Sequence, residues 1–142
     1  MTVPARAVFV DTNVLVYASV DSSPFHEAAR RAISKLEAAG VPLWISRQVQ
    51  REFLATLLRP RVSISVPEVV NAVRLFEQRF RVAEDGPLVT EKLLGLVSGG
   101  FTSQIHDANI VATMLVYGID RILTNNPSDF APLSSHVTVL SL

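Results

Sequence analysis

Three acidic residues that lie far apart along the chain, Asp11, Glu52 and Asp107, have neighbours typical of a buried site. Asp11 directly follows a short apolar run, and Glu52 and Asp107 each fall beside apolar residues at helical spacing. A buried carboxylate is costly unless a charged partner, a hydrogen-bond donor or a metal offsets it. Carboxylate oxygens are the ligands that Mg²⁺ and Mn²⁺ prefer. If the three acids converge in the fold, the sequence predicts a divalent-metal site.

Each acid taken singly also has a purely structural explanation. Asp11 is a turn former that can cap a helix, and Asp107 is an acid in the first turn of a predicted helix, where the helix dipole favours it. Glu52 can pair with a neighbouring arginine at the surface. The functional reading therefore depends on convergence of the three residues.

A second polar cluster follows a later apolar run, at residues 124–126. It consists of Thr124, Asn125 and Asn126, and Asp129 lies close behind it. Ligands of open parallel sheets bind beyond the carboxyl ends of the strands. We therefore expect this cluster to lie beside the first one, Asp11-Thr12-Asn13, if the two strands are neighbours.

Short, wholly apolar runs alternate with helical patterns along the whole chain, which indicates a mostly parallel sheet covered on both faces. Strands are predicted at residues 7–10, 42–45, 80–83, 121–124 and 137–140. Helices are predicted from Ser23 to Gly40, from Ser46 to just before Pro60, over 65–79, over 88–97, and from a cap at Thr102 or Ser103 to Tyr117. The prediction is a single three-layer α/β/α domain spanning residues 1–142.

Composition narrows the function classes. Acidic and basic residues balance at 13 each, so a strongly basic nucleic-acid footprint is absent, although eleven of the thirteen bases are arginines suited to phosphate contacts. Seven of these arginines form two clusters, one with Arg47, Arg51, Arg59 and Arg61 and the other with Arg74, Arg79 and Arg81. The chain has no cysteine, which excludes disulfides and thiolate chemistry. Its most apolar uncharged stretch in a predicted helix, residues 108–119, is too short to cross a membrane.

Four segments in series give a family resemblance that covers nearly the whole chain. The first strand running into Asp-Thr-Asn-Val-Leu-Val resembles the opening signature of PIN domains. Glu52 lies where that family carries its second acid, residues 106–112 resemble the third-acid segment, and residues 122–130 resemble the fourth. The length and single-domain layout resemble the toxin half of VapBC-type toxin–antitoxin pairs.

The resemblance implies a cytoplasmic endoribonuclease that depends on Mg²⁺ or Mn²⁺. It implies that Asp11 and Asp107 ligate the metal, that Glu52 binds it directly or through water, and that Thr12, Asn13 and Thr124 hold these carboxylates in place. It also implies three partners: an RNA substrate, a VapB-like antitoxin and a second copy in a homodimer.

One residue departs from the family pattern. Asn126 stands where many relatives carry an aspartate, and either Asn126 or Asp129 can fill this fourth position. Asp129 also has a simple structural explanation as a turn residue before Phe130. The missing charge leaves open an alternative, a weakly active or inactive PIN-like module that binds RNA or protein.

Overall fold

The structure, a computed structural model, describes residues 6–142, so the first five residues of the predicted domain lie outside the described part. Its centre is a five-stranded sheet formed by β1 (Val8–Val10), β2 (Leu43–Ser46), β3 (Arg81–Ala83), β4 (Arg121–Thr124) and β5 (Thr138–Ser141). The strands lie in the order β3-β2-β1-β4-β5, and all four pairings are parallel. The predicted mostly parallel sheet is confirmed.

Within residues 6–142, seven α-helices and one short 3₁₀ helix connect the strands. They are α1 (Thr12–Ser19), α2 (His26–Ala38), α3 (Arg47–Leu57), α4 (Val66–Arg79), α5 (Pro87–Ser98), α6 (Ile105–Val116), α7 (Pro127–Phe130) and the 3₁₀ helix Ala131–Leu133. The side chains of β1 are completely buried, as expected for a central strand covered by helices on both faces. The predicted α/β/α class is therefore confirmed. No helix within residues 6–142 is long and apolar enough to span a membrane.

Serine side chains cap two of the helix starts. The hydroxyl of Ser46 accepts a hydrogen bond from the amide of Val49 (3.2 Å) and so caps α3. Ser65 and Glu68 form a reciprocal capping box at the start of α4, which satisfies two backbone N–H groups that the helix leaves unpaired.

Three local predictions were wrong. The sequence reading placed no helix after Asp11, yet residues 12–19 form α1, because the Asp11 side chain caps them. The second helix begins at His26 rather than near Ser23, whose hydroxyl instead accepts the amide of Phe25 in a local turn (3.2 Å). Neither Thr102 nor Ser103 caps α6, since the N-cap residue is Gln104 in a left-handed conformation (φ 54°).

The strand order explains where a ligand can bind. From β1 the chain moves outward to β2 and β3 on one side, and later returns to β4 and β5 on the other. The adjacent strands β1 and β4 therefore mark the point at which the connections diverge, and such a point opens a crevice at the carboxyl ends of the strands. Asp11 and Thr124 lie at those ends.

Candidate active site

A cavity of about 340 Å³ opens at the carboxyl ends of β1 and β4. Seven of the eight residues that the sequence analysis proposed for the site line it, and the eighth, Thr124, is buried directly beneath. The lining residues are Asp11, Thr12, Asn13, Val16, Tyr17, Glu52, Thr56, Asp107, Asn126 and Asp129. The cavity thus contains four carboxylates and no basic side chain. The convergence on which the functional reading depends is present.

Asp11 is the most firmly held of the acids. It is buried, and as the N-cap of α1 its Oδ1 accepts the amide of Thr12 at 2.8 Å. Its Oδ2 accepts the hydroxyl of Thr124 at 2.8 Å and, more weakly, the side-chain amide of Asn13 at 3.4 Å. The capping role and the site role therefore coexist in one residue.

Glu52 lies on the second turn of α3 and faces α1. Its Oε1 accepts the hydroxyl of Thr12 at 3.0 Å. Glu52 forms no ion pair with the adjacent Arg51, because Arg51 pairs with Asp85 at 3.2 Å. The structural explanation offered for Glu52 therefore does not apply to this arginine. Thr12 therefore joins two acids: its amide holds Asp11 and its hydroxyl holds Glu52.

Asp107 approaches the cavity from the first turn of α6 and is half-buried. Within residues 6–142, no hydrogen-bond donor reaches its carboxylate, in contrast to Asp11 and Glu52. The neighbouring His106 is exposed and does not line the cavity, so it is poorly placed to act as a general acid there.

Burial and mutual repulsion destabilise the charged forms of two of these acids. Burial raises the pKa of Asp11 from 3.8 to about 6, against the lowering effect of the hydrogen bonds from Thr124 and Thr12. Burial also raises the pKa of Asp107 to about 6, and the charges of Asp11, Asp129 and Glu52 add to that rise. Perturbed carboxylates grouped in a cleft are typical of functional sites.

Both candidates for the fourth position lie at the cavity. Asn126 and Asp129 both line the cavity, and Asp129 also occupies the first turn of α7, as its structural explanation requires. The charge of Asp129 contributes to the raised pKa of both Asp11 and Asp107. Asp129 therefore supplies negative charge that Asn126 lacks.

Asn13 and Thr124 bind the two strand ends together. The side-chain amide of Asn13 donates to the hydroxyl of Thr124 at 3.2 Å, and its carbonyl accepts the amide of Asn125 at 3.2 Å. The hydroxyl of Thr124 also accepts the amide of Asn126 at 3.1 Å. These contacts connect the start of α1 to the segment after β4, as expected for neighbouring strands.

The sequence analysis missed three residues of the cavity wall, Val16, Tyr17 and Thr56. The first two lie on α1, the helix that was not predicted. Recognition of α1 would have placed them on the face of Asn13, since residues three and four apart share a helix face. Thr56 lies one turn beyond Glu52 on α3, and that spacing was the available signal.

The donor set fits a divalent cation of the Mg²⁺ or Mn²⁺ type. Carboxylates that raise one another's pKa ionise more readily beside a positive charge, and no described side chain that lines the cavity provides one. In the described part of the chain, no three acidic, histidine or cysteine side chains are grouped closely enough to ligate one ion directly. Direct contacts from fewer carboxylates suit Mg²⁺, which keeps several of its waters.

Most arginines of the two predicted clusters are engaged elsewhere. Arg47 pairs with Glu77 and Glu84, and Arg79 pairs with Glu37. The guanidinium of Arg81 lies over the ring of Trp44. Arg59 and Arg61 are exposed in the segment after α3, and neither has an ion-pair partner among residues 6–142.

Comparisons with known proteins agree with this geometry. Residues 8–131 match the family model of the PIN domain. Ribonuclease VapC24 of Mycobacterium tuberculosis (strain CDC 1551 / Oshkosh) is 27% identical over 128 residues, which cover 85% of this chain and 87% of the relative.

Solved structures share the fold at lower identity. VapBC2 from Rickettsia felis, solved bound to a DNA fragment from their promoter, matches with a TM-score of 0.72 and 16% identity over 96% of this chain and 98% of that one. Mycobacterium tuberculosis VapC20, described as a sarcin-ricin loop cleaving toxin, matches with a TM-score of 0.63 and 23% identity over 82% and 87% of the two chains.

Proposed function

This chain belongs to the PIN-domain family, and on that premise we propose that it is a metal-dependent endoribonuclease and the toxin of a VapBC-type toxin–antitoxin pair. The match over residues 8–131 confirms the family resemblance drawn from the sequence. A relative named as a ribonuclease, which covers most of both chains, supports the activity.

The observation that carries the proposal is the meeting of Asp11, Glu52 and Asp107 in one cavity. Asp11 lies at the end of β1, Glu52 on α3 and Asp107 on α6. In sequence, Glu52 follows Asp11 by 41 residues, and Asp107 follows Glu52 by 55. Each had a separate structural explanation in the sequence, but those explanations give no reason for the three to share a cavity. A common ligand gives that reason.

Asp11 and Asp107 would hold Mg²⁺ or Mn²⁺, and Glu52 would contact the ion through a water molecule. When bound, such a cation acidifies water and offsets the negative charge that develops on the scissile phosphate. Thr124, Thr12 and Asn13 keep the Asp11 oxygens in fixed orientations, so little reorganisation is needed when RNA binds.

Glu52 is suited to handling the proton of the attacking water. Its Oε1 is held by the Thr12 hydroxyl, and within residues 6–142 no donor is bonded to its Oε2. That second oxygen can accept a proton from a water molecule in the cavity. A general base of this kind typically contributes 10²- to 10⁴-fold to the rate.

RNA would be recognised through its phosphates at the mouth of the cavity. Arg59 and Arg61 follow the helix that carries Glu52 and Thr56, and their guanidinium groups are not engaged by described acids. Arginine binds phosphate oxygens in a bidentate manner. The choice of RNA and of cleavage sequence depends on these surface groups.

If the chain is such a toxin, its protein partners are an antitoxin and a second copy of the chain. The match to VapBC2 of Rickettsia felis supports the antitoxin. A surface on α5 supports the homodimer: Leu88 and Leu94 are 72% and 52% exposed, and a largely apolar cleft of about 940 Å³ lies between α5 and α6. Exposed apolar patches of this kind mark protein interfaces. Light scattering on the purified protein measures the dimer directly.

The test is cleavage of total RNA by the purified protein with Mg²⁺, with Mn²⁺ and with EDTA. We expect cleavage with either metal, none with EDTA, and none from the Asp11→Asn or Asp107→Asn variants. Asp85→Asn is the matched control, because Asp85 forms a surface ion pair with Arg51 and does not line the cavity.

The alternative is a PIN-like module that binds RNA or protein without cleaving it. Asn126 favours it, since this residue lowers the negative charge of the cavity. Binding of RNA that is unaffected by EDTA, together with no cleavage at any metal concentration, would identify the alternative and overturn the nuclease.

A further inference from the structure

Asp107 has no hydrogen-bond donor of its own, so its position depends on how the first turn of α6 is held. That turn begins unusually. Its N-cap, Gln104, has a left-handed backbone (φ 54°), which is strained for a residue with a side chain, and no side chain caps the helix. The usual device for fixing a helix start is therefore absent here.

A buried glutamine on a different helix takes its place. The side-chain amide of Gln48, on α3, donates to the backbone carbonyl of His106 at 2.8 Å. The Gln48 carbonyl accepts the side-chain amide of Asn109 at 2.7 Å. Gln48 thus contacts the residue before Asp107 and the residue two after it.

The same helix face carries Glu52. Gln48 and Glu52 are four residues apart, so they are neighbours on one side of α3. Helix α3 therefore carries Glu52 into the cavity. One turn earlier, its Gln48 binds the backbone of α6 next to Asp107. This arrangement sets the separation between Glu52 and Asp107.

We propose that Gln48, oriented by Asn109, is a positioning residue that places Asp107 against Asp11 and Glu52 for metal binding. The inference rests on the proposed metal-dependent function and names a residue outside the cavity lining. Loss of a group that orients a metal ligand typically lowers metal affinity 10- to 100-fold. Because Gln48 acts through the backbone of α6, we expect the lower end of that range, about tenfold.

The chain contains a matched control two residues away. Gln50 lies on the same helix and is equally buried, with 8% of its surface exposed against 6% for Gln48. Residues two apart on a helix point about 200° apart. The hydrogen bonds of Gln50 accordingly run to Glu77 and Arg47, away from the cavity. Both variants lose the amide hydrogen bonds of a buried glutamine, but only the Gln48 bonds lead to the helix that carries Asp107.

The experiment measures Mn²⁺ binding by electron paramagnetic resonance in the wild type and in the Gln48→Met and Gln50→Met variants. We expect Gln48→Met to raise the dissociation constant about tenfold and Gln50→Met to leave it unchanged, although both lower the unfolding midpoint. Hydrogen exchange of the metal-free protein should then show faster exchange in the first turn of α6 for Gln48→Met alone.

A double-mutant cycle adds a second criterion. If Gln48 and Asn109 act as one unit, Asn109→Leu combined with Gln48→Met weakens Mn²⁺ binding no more than Gln48→Met does alone. Equal Mn²⁺ affinity in the wild type and in Gln48→Met overturns the positioning role and leaves the nuclease intact. A wild-type protein that binds no Mn²⁺ overturns the proposed function itself.

Discussion

The two halves of the cavity hold their acids in different ways. On the strand side, Asp11 is buried and receives hydrogen bonds from Thr12, Thr124 and Asn13. On the helix side, Asp107 is half-buried, receives no donor from residues 6–142, and is raised in pKa partly by the charge of Asp11. The strand side is therefore preformed by hydrogen bonds that Asp107 does not have among residues 6–142, while repulsion between the acids, which a cation would relieve, raises the pKa of both.

This difference shows how the fold divides the work of the site. Neighbouring parallel strands bring their carboxyl ends together whether or not a ligand is present, so the strand side needs only short local hydrogen bonds. On the helix side, Asp107 is carried by α6, and a long-range contact is needed to fix the position of that helix. Gln48 supplies that contact.

Removal of one acid from either half is expected to have the largest effect. Asp11→Asn and Asp107→Asn should each lower the cleavage rate by about 10²- to 10⁴-fold, the range typical of groups that act directly in the transition state. Single-turnover cleavage at saturating Mg²⁺ measures this loss. If either variant retained more than a tenth of wild-type activity, the two halves would not form one catalytic site.

The pH dependence of stability tests the burial of Asp11 without any metal. The pKa of Asp11 is about 6 in the folded protein against 3.8 unfolded, so the folded state binds more protons between these values and loses stability as pH rises through them. The full difference corresponds to about 3 kcal/mol. Relative to wild type, Asp11→Asn should therefore gain up to that amount between pH 4 and pH 7.

Urea unfolding in EDTA at both pH values measures that gain. Asp120→Asn is the control with the opposite sign, because the ion pair with Arg6 lowers the pKa of the exposed Asp120. A difference between Asp11→Asn and wild type that stays constant with pH would contradict the account of Asp11 as an acid destabilised by burial.

The donors on the strand side are expected to matter next. Thr124→Val keeps the shape of the side chain but removes the hydroxyl that donates to Asp11, and we expect Mn²⁺ affinity to fall 10- to 100-fold. Thr113→Val is the matched control, since Thr113 is equally buried but donates to the carbonyl of Asn109 within α6. Calorimetric titration with Mn²⁺ measures both, and equal losses would mean that the strand side is not specially preorganised.

The fourth position is expected to show the smallest effect. Asn126→Asp adds a carboxylate to a cavity that already contains Asp129. We expect Mn²⁺ affinity to rise by about fivefold, because one added negative charge, partly screened by water, attracts the cation. Asp129→Asn should lower it by a similar factor. If Asp129→Asn had no effect and Asn126→Ala lowered the affinity, Asn126 alone would fill the position.

The strand side of the site could be predicted from the sequence because it depends on residues that are adjacent in the chain. An apolar run followed by Asp-Thr-Asn, and another followed by Thr-Asn-Asn, gives strand ends directly, and parallel pairing brings them together. The same reading missed α1, since the apolar residues after Asn13 are rich in β-branched valines, which do not favour helices locally. Burial against the sheet and the Asp11 cap stabilise that helix instead.

The support of the helix side could not be predicted in the same way. Gln48 and Gln50 are the same residue type on one predicted helix, and nothing local distinguishes the one that faces α6. The start of α6 was also misplaced, because the left-handed Gln104 is a tertiary outcome that the hydroxyls of Thr102 and Ser103 do not indicate. Long-range packing decides both features.

A crystal of the protein soaked in Mn²⁺ tests the central claim most directly, through the anomalous scattering of the ion. We expect a peak in the cavity at about 2.0–2.6 Å from carboxylate oxygens of Asp11 and Asp107, the span of hard-cation ligand distances. We also expect the peak to disappear in a crystal of Asp107→Asn. A peak away from these residues, or none at millimolar Mn²⁺, would contradict the account of the cavity as a metal-dependent active site.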